Sequence, residues 1–235
     1  MNEKLLRALM DLFAIVANIE GVSSEGREVV QVFLRQQAPL DAIDTYLKLF
    51  DEYAQKHAEF SASAHRRKKG KGLPVSDSVK ALVISEQINA ELTTKQKIVV
   101  LIRLLEFISV NKSITEAEND FVTTVADAFN IEESEYTLIK QYSLVKDAYD
   151  LRSPNVLIAD NEESLKHEEL KHLRVENLPA KLCFLRILSV DIYIVFLQGK
   201  EEVYLNGLPM NEEQIYLFPH GSSIRGQKIN PVYYS

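Results

Sequence analysis

Apolar residues in the first 150 positions recur at steps of three and four, a spacing typical of helices that bury one face. Residues 58–77 lose this period and gain serine, glycine and basic residues, which predicts a mobile loop there. The pattern predicts a helix over 5–19, two further helices before the loop, helices over about 78–92 and 94–111, and two more that end near residue 150.

The helical pattern also repeats. When the chain is shifted by 92 positions, so that Ser113 lies under Gly21, the apolar positions of three successive helices stay in register. Helical periodicity alone produces some matches, so the agreement across three helices is what indicates a duplication. The matched pairs include Leu9 with Leu101, Val30 with Val122 and Phe50 with Tyr142. The sequence therefore predicts a duplicated three-helix unit in one all-α domain over 1–150, with the helix near 78–92 between the copies.

The period changes from helical to alternating near Pro154. The chain beyond it consists of short apolar runs rich in tyrosine, valine and isoleucine, which is typical of strands. Asn206-Gly207 predicts a tight turn between two strands, because both residues tolerate a positive φ. We therefore expect an α+β protein in two domains, in which a small antiparallel β-sandwich over 151–235 follows the all-α domain.

Composition and charge narrow the class of protein. The chain is 46% hydrophobic and 26% charged, as in a soluble globular protein, and its net charge of -7 argues against nucleic acid as the main partner. The single cysteine, Cys183, excludes an intramolecular disulfide and fits a reducing compartment; strand alternation predicts that its thiol is buried. Arg7 and Asp11 interrupt the first apolar run, which is shorter than a bilayer span. We expect a cytoplasmic chain without a membrane segment of its own.

The segment NIEGVSSEGRE, residues 18–28, is a candidate cation site between the first two helices. A standard calcium loop with Gly21 in sixth place would have an arginine in twelfth place, where a bidentate glutamate is needed. A looser divalent-metal site would use Asn18, Glu20 and Glu28. Helix capping by the serines and by the acidic residues of the next helix explains the same segment and is favoured.

The other candidate binding residues are a run of basic residues and the histidines. A basic run spans Arg66, Arg67, Lys68, Lys69 and Lys71. Such a run binds nucleic acid or anionic lipid headgroups, or forms a solvated loop. The loop is favoured, and an anionic membrane surface is the alternative ahead of nucleic acid. His167 and His172 are five positions apart, whereas the zinc-protease motif needs four. His57, His65 and His220 are isolated, and we expect them at the surface.

The corner at 18–28 and its flanking helices resemble the TerB-like helical domains of tellurite-resistance proteins. The likeness extends over about residues 1–148. Its first copy is carried by Ala17, Glu20, Gly21, Val22, Ser23 and Glu25, and its second copy by Ile114, Thr115 and Glu118. Thr115 to Glu118 also forms a capping box. The resemblance implies metal binding at the acidic turn, but the second copy has Lys112-Ser113 in place of the acidic residue and glycine.

The C-terminal third is similar to the later half of a forkhead-associated (FHA) β-sandwich. The similar residues are Tyr204, Leu205, Asn206, Gly207, Gly221, Ile224, Arg225 and Gly226. The two modules in this order resemble the N-terminal region of bacterial ABC-transporter ATP-binding proteins. The chain itself contains no Walker A loop. The resemblance therefore implies the regulatory front end of a longer polypeptide, whose remaining part would be the ATPase.

These observations predict a non-catalytic regulatory or protein-interaction region without a cofactor. Its expected partner is another protein or another domain of the same polypeptide. Polar groups on the turns of a rigid β scaffold are common recognition elements. The expected partner-binding residues are Asn206, Gly207, Ser222, Ser223 and Arg225. The alternative is a metal-binding stress sensor of the tellurite-resistance type that uses the acidic turn at Glu20.

Overall fold

The computed structural model of the chain describes residues 3–20, 24–65, 75–109, 114–163 and 170–234. It forms two compact units, Met1–Lys140 and Gln141–Ser235. Within the described residues, seven α-helices precede two β-sheets, so the expected α+β class is confirmed. None of the described helices is long and apolar enough to cross a membrane.

The helices follow the predicted order. They are α1 (Glu3–Glu20), α2 (Ser24–Gln37), α3 (Ile43–His65), α4 (Val75–Glu91), α5 (Thr94–Ile108), α6 (Glu116–Ala128) and α7 (Glu133–Leu144). The prediction of a loop over 58–77 is wrong at both ends, because α3 continues to His65 and α4 begins at Val75. Three alanines between 58 and 64 favour helix even where the apolar period is lost.

Capping fixes where two of the later helices begin. The Thr93 backbone N–H donates to Gln96 Oε1 at 3.0 Å before α5, and the Thr115 N–H donates to Glu118 Oε2 at 2.9 Å before α6. In both cases the threonine hydroxyl accepts from the backbone N–H three residues on. The predicted capping box at Thr115 is therefore confirmed.

Aromatic rings form the centre of the helical unit. The ring centroid of Phe13 lies 5.5 Å from that of Phe33 and 6.3 Å from that of Phe107. Phe107 also lies 6.3 Å from Phe50. These rings come from α1, α2, α3 and α5, so helices from both predicted copies share one core. The starts of α2 and α6, Ser24 and Glu116, are 92 positions apart, but the duplication itself stays a prediction.

The second unit contains nine strands among the described residues. They are β1 (Val156–Asp160), β2 (Lys171–Arg174), β3 (Lys181–Ile187), β4 (Ile192–Gln198), β5 (Val203–Leu205), β6 (Leu208–Pro209), β7 (Tyr216–Phe218), β8 (Ser223–Gly226) and β9 (Val232–Tyr233). One sheet has the order β2-β1-β3-β4-β7 and the other β6-β5-β8-β9. The expectation of purely antiparallel pairing is wrong for β1 and β2, which run parallel. Apolar alternation records which face is buried and carries no information on strand direction.

The two sheets contribute to one apolar core. Phe184 and Leu197 of the five-stranded sheet belong to the same buried cluster as Leu205 and Ile224 of the four-stranded sheet. The other face of the five-stranded sheet carries Cys183, which is fully buried as predicted. Burial raises the pKa of this thiol and keeps it in the unreactive protonated form.

The end of α7 belongs to the β unit. The Tyr142 hydroxyl donates to the Cys183 carbonyl at 2.6 Å, and the Tyr142 ring lies 4.9 Å from that of Phe196. Gln198 binds the next stretch of chain, donating to the Lys146 carbonyl at 2.8 Å and accepting from the Ala148 N–H at 3.0 Å. The compact β unit therefore begins at Gln141, ten positions before the change of periodicity at 151.

Candidate functional site

The turn between β5 and β6 has the conformation that its sequence predicts. Asn206 and Gly207 have φ of 51° and 86°, both in the left-handed region. Leu205 and Leu208 pair on either side of them and close the hairpin. A two-residue turn of this kind matches the natural twist of two antiparallel strands, so the strands continue without splaying.

The Asn206 side chain ties this turn to the loop that leads into β8. The Asn206 backbone N–H donates to the Ser223 carbonyl at 2.9 Å. Its side-chain Oδ1 accepts from the Ser223 N–H at 2.9 Å, and its Nδ2 donates to the Ser222 hydroxyl at 3.2 Å. The structure thus brings together three of the residues expected to bind a partner. Ser222 is itself buried, so its side chain supports the corner and is not presented to solvent.

The loop before β8 is held as firmly on its other side. Gly221 has φ of 84°, and its N–H donates to the Tyr234 carbonyl at 2.7 Å. The Tyr234 N–H in turn donates to the Ser222 carbonyl at 3.0 Å. We call residues 206–207 and 221–223 the Asn206 corner. Its backbone is fixed by hydrogen bonds between its two segments and to Tyr234, the residue after β9, which makes it a rigid support for the neighbouring side chains.

Exposed side chains surround the Asn206 corner on the four-stranded sheet. Arg225 lies opposite Tyr204 in the strand register, and its guanidinium lies 5.8 Å from the centre of the Tyr233 ring. Tyr233 is 59% exposed, and the exposed Pro209 lies opposite Tyr204 on the same face as Arg225. Arginine and tyrosine are enriched at the energetic centres of protein interfaces. This face of the sheet therefore offers one cation beside apolar contact area.

The residues of the candidate metal site have other contacts. Asn18 Nδ2 donates to the Ala14 carbonyl at 2.9 Å and to the Ala54 carbonyl at 2.7 Å, which links α1 to α3. Glu28 is exposed on α2, and the side chain of Glu20 lies outside the described residues. Among the described residues, no three His, Cys, Asp or Glu side chains lie close enough to hold a metal ion. The metal site therefore stays a prediction.

The histidines differ in their surroundings. His57 is only 8% exposed, and its Nε2 lies 2.7 Å from Asp11 Oδ1, so the expectation of a surface residue is wrong. The expectation failed because the pairing joins two residues that are 46 positions apart. His220 is exposed as expected, and the His65 side chain lies outside the described residues. The basic residues Arg66, Arg67, Lys68, Lys69 and Lys71 also lie outside the described residues.

A buried carboxylate that the sequence did not reveal lies at the end of β1. Asp160 Oδ2 accepts from the Tyr149 hydroxyl at 2.5 Å, and Oδ1 lies 3.0 Å from His172 Nε2. Oδ1 also accepts from the Glu162 backbone N–H at 2.9 Å. Lys181 lies 3.9 Å from the centre of the Tyr149 ring. The only sequence signal is an aspartate that ends the apolar run VLIAD, which is also what an exposed strand end looks like.

The Asp160 cluster, composed of Tyr149, Asp160 and His172, joins three elements. Tyr149 lies on the 3-10 helix Ala148–Asp150, Asp160 on β1 and His172 on β2. Burial acts to raise the pKa of Asp160, but the hydrogen bonds from Tyr149 and His172 outweigh it and lower this pKa. The carboxylate therefore stays charged and holds the segment before β1 and the edge strand β2 in place.

No family model, no curated protein and no solved structure matches this chain. The likenesses to TerB-like and FHA domains therefore depend only on the short residue patterns at 17–25, 114–118, 204–207 and 221–226.

We expect Asn206→Ala to lower the free energy of unfolding of the β unit by about 1–2 kcal/mol, because it removes two side-chain hydrogen bonds and leaves an alanine at positive φ. Urea unfolding at neutral pH measures the change. Asn230→Ala is the matched control, since Asn230 is exposed and makes no side-chain hydrogen bond in the part of the chain that the structure describes. Equal stability of the two variants would show that the Asn206 bonds contribute nothing.

Proposed function

We propose that this chain is a non-catalytic protein-interaction region whose docking surface is the outer face of the four-stranded sheet beside the Asn206 corner. The observation that carries the proposal is the group of three exposed side chains, Pro209, Arg225 and Tyr233, which the strand register places on the outer face of the sheet. The docking surface therefore combines apolar contact with one cation.

Rigidity is what makes this surface suitable for recognition. A partner that docks on flexible loops must supply the free energy needed to order them. The hydrogen bond that the Asn206 side chain donates, the one that it accepts, and the backbone bonds of Gly221 and Tyr234 order the corner in advance. Tyrosine provides a large contact area with few rotatable bonds to immobilise. Arginine provides several hydrogen-bond donors held in one planar group.

The proposal extends to the family likenesses. On this view the helical unit is a duplicated TerB-like domain, the β unit is a sandwich of the FHA type, and the chain is the cytoplasmic front end of a longer ABC-transporter-related ATP-binding protein. The 92-position offset between the starts of α2 and α6 supports the duplication. The left-handed Asn206-Gly207 turn supports the FHA likeness, since that pair is among the residues that carry it.

A peptide-display library sorted on the wild-type chain tests the docking surface. Peptides enriched on the wild type should bind Arg225→Glu and Tyr233→Ala at least about tenfold more weakly, because truncation or reversal of an interface centre typically costs this much or more. Lys200→Glu is the matched control, because Lys200 is an exposed cation on a turn before the four-stranded sheet. It should retain full affinity. Enriched peptides that bind all four proteins equally, or a sort that enriches none, would contradict the proposed surface.

A further inference from the structure

Strand β2 forms one edge of the five-stranded sheet. It pairs with β1 along Lys171–Arg174, and no strand lies on its other side within the part of the chain that the structure describes. An edge strand of this kind presents backbone N–H and C=O groups that are ready to pair with another extended segment.

The register shows which backbone groups face outward. The Val175 N–H donates to the Asp160 carbonyl at 2.6 Å, so Val175 points its backbone groups toward β1. Backbone groups alternate in direction along a strand, so those of Leu173 also face β1, whereas those of His172 and Arg174 face away from it. The outer edge of β2 therefore offers two donors and two acceptors in line.

The side chains of β2 give this edge a charge pattern. Lys171 and Arg174 are exposed at its two ends, and Leu173, at 41% exposure, lies between them. The hydrogen-bond contact between His172 Nε2 and Asp160 Oδ1, at 3.0 Å, fixes the strand to β1. The edge is thus an ordered strand with a cation at each end and one exposed leucine between them.

A second copy of this chain offers no opposite charge to this edge. The backbone groups that face outward are those of His172 and Arg174, so in an antiparallel pair of two β2 strands His172 would lie opposite Arg174 of the second copy. Strand β2 contains no acidic residue that could pair with Lys171 or Arg174. Opposite charges directly across a strand pair stabilise the pairing, so the edge favours a strand with acidic residues at both ends.

We propose that β2 binds an extended segment of a partner protein as an added strand, with acidic residues three positions apart opposite Lys171 and Arg174 and apolar residues between them. The order acidic-apolar-apolar-acidic fits the edge in either strand direction. This site is separate from the Asn206 corner and does not depend on the function proposed for that corner. Backbone pairing provides the common contact, and the two cations select the charge of the segment.

The probe is the peptide acetyl-SEVVES-amide, compared with acetyl-SKVVKS-amide, on the full chain. The acidic peptide should slow amide hydrogen exchange at His172 and Arg174, the two residues whose N–H groups face outward. It should bind at least about tenfold more tightly than the basic peptide, as expected for two opposed charge pairs. Slowed exchange at other amides only, or none, would overturn the proposal.

Charge reversal provides the second measurement. The double variant Lys171→Glu with Arg174→Glu should prefer the basic peptide, whereas the matched control Lys200→Glu with Lys228→Glu should keep the wild-type preference. A reversed variant that still prefers the acidic peptide would also overturn the proposal. If the reversed variant does not fold, the exchange map of the wild-type chain decides the question alone.

Discussion

Replacing Phe13 by alanine is expected to lower the free energy of unfolding of the helical unit by about 4 kcal/mol. The Phe13 side chain has no exposure to solvent, and its ring contacts those of Phe33 and Phe107 at centroid distances of 5.5 and 6.3 Å. Alanine would leave a cavity between α1, α2 and α5. Close packing around it prevents the neighbouring helices from filling the space at low cost.

Urea unfolding followed by far-ultraviolet circular dichroism measures this loss. Leu40→Ala is the control, because Leu40 is 83% exposed and its truncation should change stability by no more than about 0.5 kcal/mol. Amide hydrogen exchange should accelerate in α5 as well as in α1, since Phe107 of α5 contacts the missing ring. A loss below about 1 kcal/mol, or acceleration confined to α1, would contradict the shared core.

Replacing Asp160 by alanine is expected to lower the free energy of unfolding of the β unit by about 3 kcal/mol. Asp160 is 2% exposed and accepts hydrogen bonds from the Tyr149 hydroxyl and the Glu162 N–H while pairing with His172. Its removal leaves buried polar groups without the acceptor that replaces water. The edge strand β2 should also lose order, because the contact between Asp160 and His172 fastens it to β1.

The pH dependence of this loss follows from the lowered pKa of Asp160. Burial acts to raise this pKa, but the hydrogen bonds from Tyr149 and His172 bring it below its ordinary value of 3.8. A carboxyl whose pKa is lower when folded contributes stability above its unfolded pKa and loses it as the pH falls through the folded pKa. The stability gap between wild type and Asp160→Ala should therefore be full at neutral pH and narrow below about pH 4.

Urea titrations from neutral pH down to about pH 3 measure this gap. Asp150→Ala is the matched control, since Asp150 lies on the 3-10 helix Ala148–Asp150 and is exposed. The difference in free energy of unfolding between Asp150→Ala and the wild type should stay small at every pH. An Asp160→Ala gap that is independent of pH would mean that packing, and not the charge of the carboxylate, supplies the stability.

Local rules account for the parts of the fold that the sequence alone determined. The steps of three and four predict the helices, and the change of period near Pro154 predicts the strands. The Asn206-Gly207 turn and the Thr115 capping box depend on residues no more than three positions apart. Their conformation follows from the preferences of those residues, so sequence reasoning finds them without knowledge of the rest of the chain.

The candidate site was predictable only in part. The sequence predicts that Asn206, Ser222 and Ser223 lie on turns, and the structure brings them together through hydrogen bonds of 2.9 and 3.2 Å. That Ser222 is buried and supports the corner depends on how the loop before β8 folds back onto β9. The exposed group formed by Pro209, Arg225 and Tyr233 likewise depends on which strands become neighbours.

Only the tertiary structure decided the parallel pairing of β1 and β2, the place of Tyr142 in the β unit and the burial of His57 and Asp160. Each is set by a partner that is distant in sequence, such as Cys183 for Tyr142 or Asp11 for His57. Hydrophobic periodicity determines which side of an element is buried. Strand direction, and the free-energy cost of burying a charge, depend on the residues that pack against that side. These residues are distant in sequence and become neighbours only in the folded structure.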